Sequence, residues 1–294
     1  MKLDQLRMLK TVAETGSLSN ASERLFKTQS AISQGIKQLE TSLAIQLFDR
    51  KAYRLSLTPA GEQVYSHALR MLNDESEIRQ IAKHLANGNE SIVKIAIEAS
   101  YDLNRITPIL EKVQNEFPRT QIILKVEYLS GAFEAVESEQ VDMAITPMQD
   151  LDLEVSNIEA GLLYTGNLIN VAAPRLLLRH PELQSVVELC NEYQIVVQDS
   201  GISSKGKNYS VQSGQRCWYA NDFSTKKSLV MSGMGWGRLP DNRIVDELQN
   251  GSLIEIQLND LRSKLGLNFH VIKARNSSLG PVANTLWNNL MVSG

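Results

Sequence analysis

The stretch that decides the fold lies near the start of the chain: Gly16-Ser17-Leu18-Ser19-Asn20-Ala21-Ser22-Glu23-Arg24-Leu25-Phe26-Lys27-Thr28-Gln29-Ser30-Ala31-Ile32-Ser33-Gln34-Gly35-Ile36-Lys37-Gln38-Leu39-Glu40. Ala21, Leu25 and Phe26 fall on one face of a helix that Ser17 or Ser19 can cap. Lys27-Thr28-Gln29-Ser30 makes a short break. Ala31, Ile32, Gly35, Ile36 and Leu39 then form the inner face of another helix, and Gln29, Ser30, Ser33, Gln34 and Lys37 its outer face. Two short helices joined by a turn of about four residues make a helix-turn-helix. The outer face of its second helix offers hydroxyl, amide and basic groups, which suit base edges and phosphates. The bland alternative is a solvated polar face.

Working outward, Leu3, Leu6, Leu9, Val12 and Ala13 have helical spacing, and Thr15-Gly16-Ser17 stops that helix. Downstream, Leu55 and Leu57 alternate with Ser56 and Thr58 behind basic residues, which reads as a small β-wing. Pro59 opens a helix at a favoured position. On it Val64, Ala68, Met71, Glu75, Ile78, Ala82 and Leu85 follow one another at alternating steps of 4 and 3, a heptad seam. One reading is a dimerising linker helix with Glu75 as a polar break; the other is an amphipathic helix packed on its own domain. Asn87-Gly88-Asn89 ends it and marks a domain boundary.

After residue 90 the period changes. Ile92–Glu98, Gln121–Tyr128 and Val141–Thr146 read as strands, separated by helices over Leu103–Phe117 and Ser130–Ser138. This βαβαβ order implies a mostly parallel, doubly wound α/β sheet. The apolar stretch Leu162–Val171 can cross into a second lobe. There Gln184–Glu192, Ser224–Ser232 and Asp241–Gln249 read as helices, and Gln194–Gln198, Trp236–Leu239 and Leu253–Leu258 as strands. Leu267–Lys273 is a further strand and Ser278–Met291 a final helix.

Composition bounds the function. The 294 residues suit two or three domains, and 43 % hydrophobic with 21 % charged residues is a globular balance. No apolar run approaches the roughly 18–20 residues of a membrane span. The start, MKLDQLRMLK, lacks the apolar core and cleavage site of a signal peptide, so a soluble, cytoplasmic protein with no membrane partner is expected. Residues 1–60 carry nine Lys/Arg against five Asp/Glu, a net +4, within a chain of net −3. A basic head on an acidic body points to a polyanion partner. Cys190 and Cys217 are too few for a disulfide scaffold or a zinc site, and His67, His84, His180 and His270 are scattered. Neither a metal cluster nor a nucleophile–base–orienter set is legible, so no cofactor and no enzymatic activity are expected. Gly233-Met234-Gly235-Trp236-Gly237 is not a dinucleotide fingerprint, because a helix precedes it and a strand follows.

The residues Gly16-Ser17, Ala21, Leu25, Gln29-Ser30-Ala31-Ile32-Ser33, Ile36, Leu39-Glu40, Leu43, Leu47-Phe48, Arg50, Leu57-Thr58 and Ala60-Gly61 together resemble the N-terminal signature of LysR-type transcriptional regulators. Ser232 to Pro240 is similar to that family's Gly-x-Gly…Leu-Pro segment. Ser22 stands where a second alanine is usual, and Ala44 where glycine is usual. The resemblance implies a winged helix-turn-helix over residues 1–60, a linker and dimerisation helix over 61–89, and a two-lobed α/β effector domain over 90–294 similar to periplasmic binding proteins. Lobe one would take residues 90–161 and 267–294, and lobe two 162–266. It implies a bacterial, sequence-specific DNA-binding regulator that senses a small molecule. Its partners would be double-stranded DNA, the effector, further copies in a homodimer or homotetramer, and RNA polymerase.

By that comparison Gln29, Ser30, Ser33 and Gln34 contact bases or adjacent phosphates, while Lys37, Arg50 and Arg54 bind phosphate. Val64, Ala68, Met71, Ile78, Ala82 and Leu85 would line the dimer seam. Effector candidates follow from position: Ser100, Ser130-Gly131 and Thr146 sit at carboxyl ends of lobe-one strands, and Ser200 and Phe223 at the matching places in lobe two. Ordinary N-capping is the competing role. Tyr101, Trp218 and Phe223 offer an aromatic wall or plain core, and Arg105, Lys205 and Lys207 offer charge to an anionic or polar ligand. Cys190 and Cys217 read as buried structural thiols rather than the redox pair of peroxide-sensing family members. The competing classes are a solute-binding protein or binding-protein-like enzyme, and a nucleoid-type protein with a ligand-free second domain.

Overall fold

The structure is a computed structural model that describes residues 1–49, 55–148, 157–202 and 211–292. Two compact units divide the chain, Met1–Asn87 and Gly88–Gly294.

The first unit holds α1 (Leu3–Thr15), α2 (Leu18–Leu25), α3 (Gln29–Leu43), the paired strands β1 (Phe48–Asp49) and β2 (Ser56–Leu57), and α4 (Pro59–Ala86). Each helix after the first starts where a side-chain oxygen replaces a missing acceptor. Ser17 Oγ accepts from Asn20 N–H, Thr28 Oγ1 from Ala31 N–H, and Thr58 Oγ1 from Gly61 N–H. Leu6, Leu9, Val12, Ala21, Ile32, Ile36, Leu39, Leu47 and Phe48 close into one core. Glu40 fastens the wing to α3, its Oε1 accepting from Leu47 N–H at 2.9 Å. Gly35 faces inward: a Cβ there would lie 2.2 Å from Met8 Sδ, so the glycine leaves room for the end of the Met8 side chain between α1 and α3.

The second unit is built on a nine-stranded sheet of order β4-β3-β5-β11-β6-β9-β7-β8, with β10 on β6. Lobe one holds the parallel strands β3 (Ile92–Glu98), β4 (Gln121–Glu127) and β5 (Met143–Pro147), with α5 (Thr107–Glu116) and α6 (Gly131–Glu137). Lobe two holds β7 (Tyr193–Val197), β8 (Arg216–Ala220), β9 (Gly235–Pro240) and the short β10 (Ile254–Glu255). Its helices are α7 (Pro174–Leu177), α8 (Phe223–Met231) and α9 (Val245–Gln249). The long strands β6 (Ile158–Ala172) and β11 (Lys264–Ala274) run antiparallel through both lobes, and α10 (Pro281–Val292) returns to lobe one. Glu90 seats that last helix, its carboxylate accepting from Val282 N–H at 2.9 Å and Ala283 N–H at 3.1 Å.

Several expectations change. The sheet is mixed, because β6 and β11 pair antiparallel with each other and with β9 and β5. The helix expected over Leu103–Phe117 is a 3₁₀ turn, Leu103–Arg105, followed by α5, which restarts at Thr107 with Pro108 in its first turn. Gln184–Glu192 holds only the 3₁₀ turn Val186–Leu189. Asp241–Gln249 splits into the 3₁₀ turn Asp241–Arg243 and α9. Cys190 is exposed and Cys217 half-buried, so Cys190 is not a core thiol.

Ala44 ends α3 with φ 55°, in the left-handed region that favours glycine. Ala44→Gly should therefore stabilise the protein by about 1 kcal/mol, the Cβ strain exceeding glycine's extra unfolded-state entropy. Urea denaturation reads this directly, and an unchanged or lower midpoint refutes it.

Candidate functional site

On α3 the side chains of Gln29, Ser30, Gln34 and Lys37 are exposed and Ser33 is half-buried, all outside the core formed by Ile32, Ile36 and Leu39. Ser30 Oγ lies 3.0 Å from Thr28 Oγ1, at the helix cap. Most basic groups nearby are neutralised internally: Lys27 by Asp4 at 2.9 Å, Arg24 by Glu14 at 3.1 Å and Arg7 by Glu75 at 2.8 Å. Lys37 has no ionic partner among the described residues, so its charge is uncompensated on the exposed face of α3. Arg50 and Arg54 lie outside the described residues.

The α4 seam divides in two. Ala68 is buried and Val64 half-buried, and both pack into the first unit's own core with Tyr65 and Leu72. These two positions therefore serve intradomain packing. Glu75 binds Arg7 and Arg79, and the remaining seam positions are exposed. Met71, Ile78 and Leu85 are 42 %, 66 % and 53 % exposed, and Ala82 is exposed as well.

In the second unit the chain reverses its winding twice. β3 lies between β4 and β5, and β7 between β8 and β9. The carboxyl ends of strands at such switch points open a crevice. Ser100 follows β3, and Thr146 lies in β5 one residue past the registered pair Ile97↔Ile145. Both are buried. Ser100 donates its backbone N–H and its hydroxyl to Glu98, a buried carboxylate whose proton affinity burial raises.

At the crevice rim the two lobes touch. Ser130 donates its N–H to Asp199 Oδ1 at 3.1 Å and its hydroxyl toward Asp199 Oδ2 and Glu134 Oε1 at 2.8 and 2.7 Å. Ser200 Oγ donates to Glu127 Oε2 at 2.5 Å and accepts from Tyr128 N–H at 2.8 Å. Gly131 permits this approach, since a Cβ there would meet Ser200 Oγ at 2.2 Å. A cavity of ≈ 470 Å³ opens beside the rim, lined among others by Glu127, Glu134, Glu137 and Lys125. Phe223 closes from lobe two, its ring centroid 6.1 Å from that of Tyr128, and Arg243 donates to the Ala99 carbonyl at 2.7 Å.

Ser100, Thr146, Ser130, Gly131, Ser200 and Phe223 thus lie at or next to strand ends, and of these Gly131 and Ser200 line the cavity. Tyr101 is not among its walls. Its ring is buried in the lobe-one core, edge-on to Phe269 at 5.2 Å and to Tyr164 at 6.5 Å. Trp218 packs against Tyr193, centroids 5.4 Å apart. Arg105 stacks over Tyr164 at 3.5 Å, and Lys205 and Lys207 lie outside the described residues. Sequence reasoning passed over the rim carboxylates Glu127 and Glu134, and over Lys226. The signal for the last was available: three residues after Phe223 and four before Val230, it shares their buried helix face.

The chain matches two family models. Residues 3–62 match the bacterial regulatory helix-turn-helix protein of the LysR family, and residues 86–291 the LysR substrate binding domain. It belongs to the LysR family of transcriptional regulators, proteins with a helix-turn-helix DNA-binding domain and an effector-binding domain, and is not an enzyme. The HTH-type transcriptional regulator YeeY of Escherichia coli is 28 % identical over 86 % of this chain and 82 % of its own length. The transcriptional dual regulator GltC of Bacillus subtilis is 23 % identical over 98 % and 95 %. Among solved structures, the virulence activator AphB of Vibrio cholerae superposes with a TM-score of 0.52 at 20 % identity, covering 99 % of both chains. No helix among the described residues is long and apolar enough to cross a membrane.

Because folded Glu98 holds its proton more tightly than an unfolded carboxyl, stability contributed by the protonated form is lost as pH rises from about 4.5 through the raised folded value. Glu98→Gln should therefore gain melting temperature relative to wild type as pH rises from 4.5 to 8. A difference independent of pH would show that Glu98 is not buried as an acid.

Proposed function

We propose that the α3 face carrying Gln29, Ser30, Ser33, Gln34 and Lys37 enters the major groove, and that the second unit binds a small-molecule effector in the crevice between its lobes. The observation that carries the effector reading is the meeting of two switch points, one per lobe, with Ser130 and Ser200 bonded across the gap. A ligand lodged there changes the spacing of the lobes and shifts the population between two arrangements. In this state the hydroxyls of Ser100, Ser130 and Ser200 are held by carboxylates, so a ligand with hydrogen-bond donors competes for Glu98, Glu127, Glu134 and Asp199.

The protein acts in the cytoplasm as a homodimer or homotetramer. The exposed apolar residues of α4, Met71, Ile78, Ala82 and Leu85, form the seam between copies. Symmetric heads then read half-sites about one helical turn, or a multiple of it, apart.

Two experiments test these readings. DNA affinity measured by fluorescence anisotropy should fall steeply with salt, and Lys37→Ala should lower the salt slope by about 1 on every sequence. Gln34→Ala should relax preference at one base pair, a loss of about 1–3 kcal/mol of discrimination; a uniform loss of affinity removes it from base readout. Met71→Glu combined with Ile78→Glu should give monomers by sedimentation, and a double variant that stays dimeric at micromolar concentration places the seam elsewhere.

A further inference from the structure

Lys226 is a charged side chain in a place that gives it no counter-charge. It lies on the inner face of α8 between Phe223 and Val230, and only 6 % of its surface is exposed. Its Cε sits 3.1 Å from where a Gly237 Cβ would be, and its Nζ is 5.8 Å from the centre of the Phe223 ring. The glycine therefore makes room for the lysine stem. The same absent Cβ would lie 2.6 Å from the Ile195 carbonyl, so β7 and β9 run side by side here at lobe two's switch point. Beyond Tyr193↔Gly235 and Gln194↔Trp236 no further pair registers between them. The lysine stem thus lies beside Gly237, one residue past the last registered β7–β9 pair, and one helical turn along α8 from Phe223.

Its surroundings are occupied with other bonds. Among the described residues, the Lys226 ammonium makes neither a hydrogen bond nor an ion pair; only its backbone N–H is engaged, donating to the Asp222 carbonyl at 3.1 Å. Asp222, on the same helix, accepts from Thr225, and Glu98, across the crevice, accepts from Ser100. Lys227 on the outer face takes Glu247. Arg243 donates to the Ala99 carbonyl. Arg238 projects from the opposite face of β9 to Asn170 and adds repulsion through the sheet. Burial, first, and Arg238, second, pull the Lys226 ammonium down to about 7. A buried cation without a partner is costly, and such a group is found where an incoming charge completes it.

We propose that Lys226 is the anion anchor of the crevice, taking the carboxylate of a small organic effector against the open strand ends of β7 and β9. This rests on the effector-sensor reading and assigns the ligand's charge within it. The rim, with Glu127, Glu134 and Asp199, disfavours a bare anion, so the ligand's negative group belongs at the Lys226 end and its hydrogen-bond donors at the rim. Serine hydroxyls as the anion's receptors are disfavoured, because those hydroxyls already serve carboxylates.

The test uses the full chain and its Lys226→Met and Lys226→Arg variants. Calorimetry is run with benzoate, succinate and pyruvate, each beside its neutral amide, and the ¹³Cε signal of Lys226, assigned by its loss in Lys226→Arg, is titrated by NMR. The free chain should show Lys226 titrating well below an ordinary lysine, and a bound carboxylate should move that midpoint up. At least one carboxylate should bind wild type about tenfold or more tightly than its amide, lose that advantage in Lys226→Met and keep part of it in Lys226→Arg. A free-chain midpoint at the ordinary lysine value overturns the proposal without any ligand. Equal binding of a carboxylate to wild type and Lys226→Met, or of amides alone, overturns it while leaving the sensor reading intact. Silence of every compound on the wild-type chain counts against the sensor reading itself.

Discussion

The pairing of β6 with β11 is the constraint on which the second unit depends. Their ladder runs from Lys264↔Ile169 to Ala274↔Ile158, and among the described residues these are the two strands that run through both lobes. Lobe one hangs on β11 through β5, at Phe269 to Ile272, and lobe two hangs on β6 through β9, at Leu168 to Ala172. With both lobes laid on one sheet, the carboxyl ends of their parallel strands are brought to a common crevice. That is how strand-end residues from Ser100 to Phe223, far apart in the chain, come to the part of the fold where the proposed effector site lies.

The first unit solves a different problem, which is to hold the polar face of α3 outward while the apolar faces of α1, α2 and α3 close into one core. Three capped helix starts fix where α2, α3 and α4 begin, and the absence of a side chain at Gly35 leaves room for the end of Met8 between α1 and α3. The internal ion pairs of Arg7, Arg24 and Lys27 take three of the head's nine basic side chains out of play. The basic balance of residues 1–60 is therefore a poorer guide to the binding face than the one unpaired cation on α3 itself.

Local chemistry made much of this legible. The caps, the 3.6-residue spacing of Leu6, Leu9 and Val12, and the alternation in Ile92–Glu98 all act over a few residues, and their elements form where expected. What sequence reading lost was long-range or ambiguous by nature. The partner of β6 is about a hundred residues away, so its antiparallel pairing left no local trace. Val64 and Ala68 obey a heptad that equally describes packing on α4's own domain, and only the fold decides between them. Tyr101 has the same apolar character whether it lines a crevice or fills a core. Lys226 was missed because a lysine in a helix ordinarily reads as solvent-facing, although its neighbours at three and four residues mark the buried side.

The ladder of β6 and β11 carries one irregularity: Phe269 pairs with Tyr164 but His270 with Leu162, so Leu163 is an extra residue on β6. One extra residue reverses the parity of a strand, exchanging which side chains face which side of the sheet. On the lobe-one side of this point Ile158 and Ala160 face a core, at even numbers; on the lobe-two side it is Ile169 and Val171, at odd numbers. The two lobes are thus written in opposite phase along a single strand. Deleting one residue at Leu163 would leave a strand of almost unchanged composition, yet it would turn Asn170, with its bonds to Arg238 and the Arg262 carbonyl, toward the core that Ile169 and Val171 now fill.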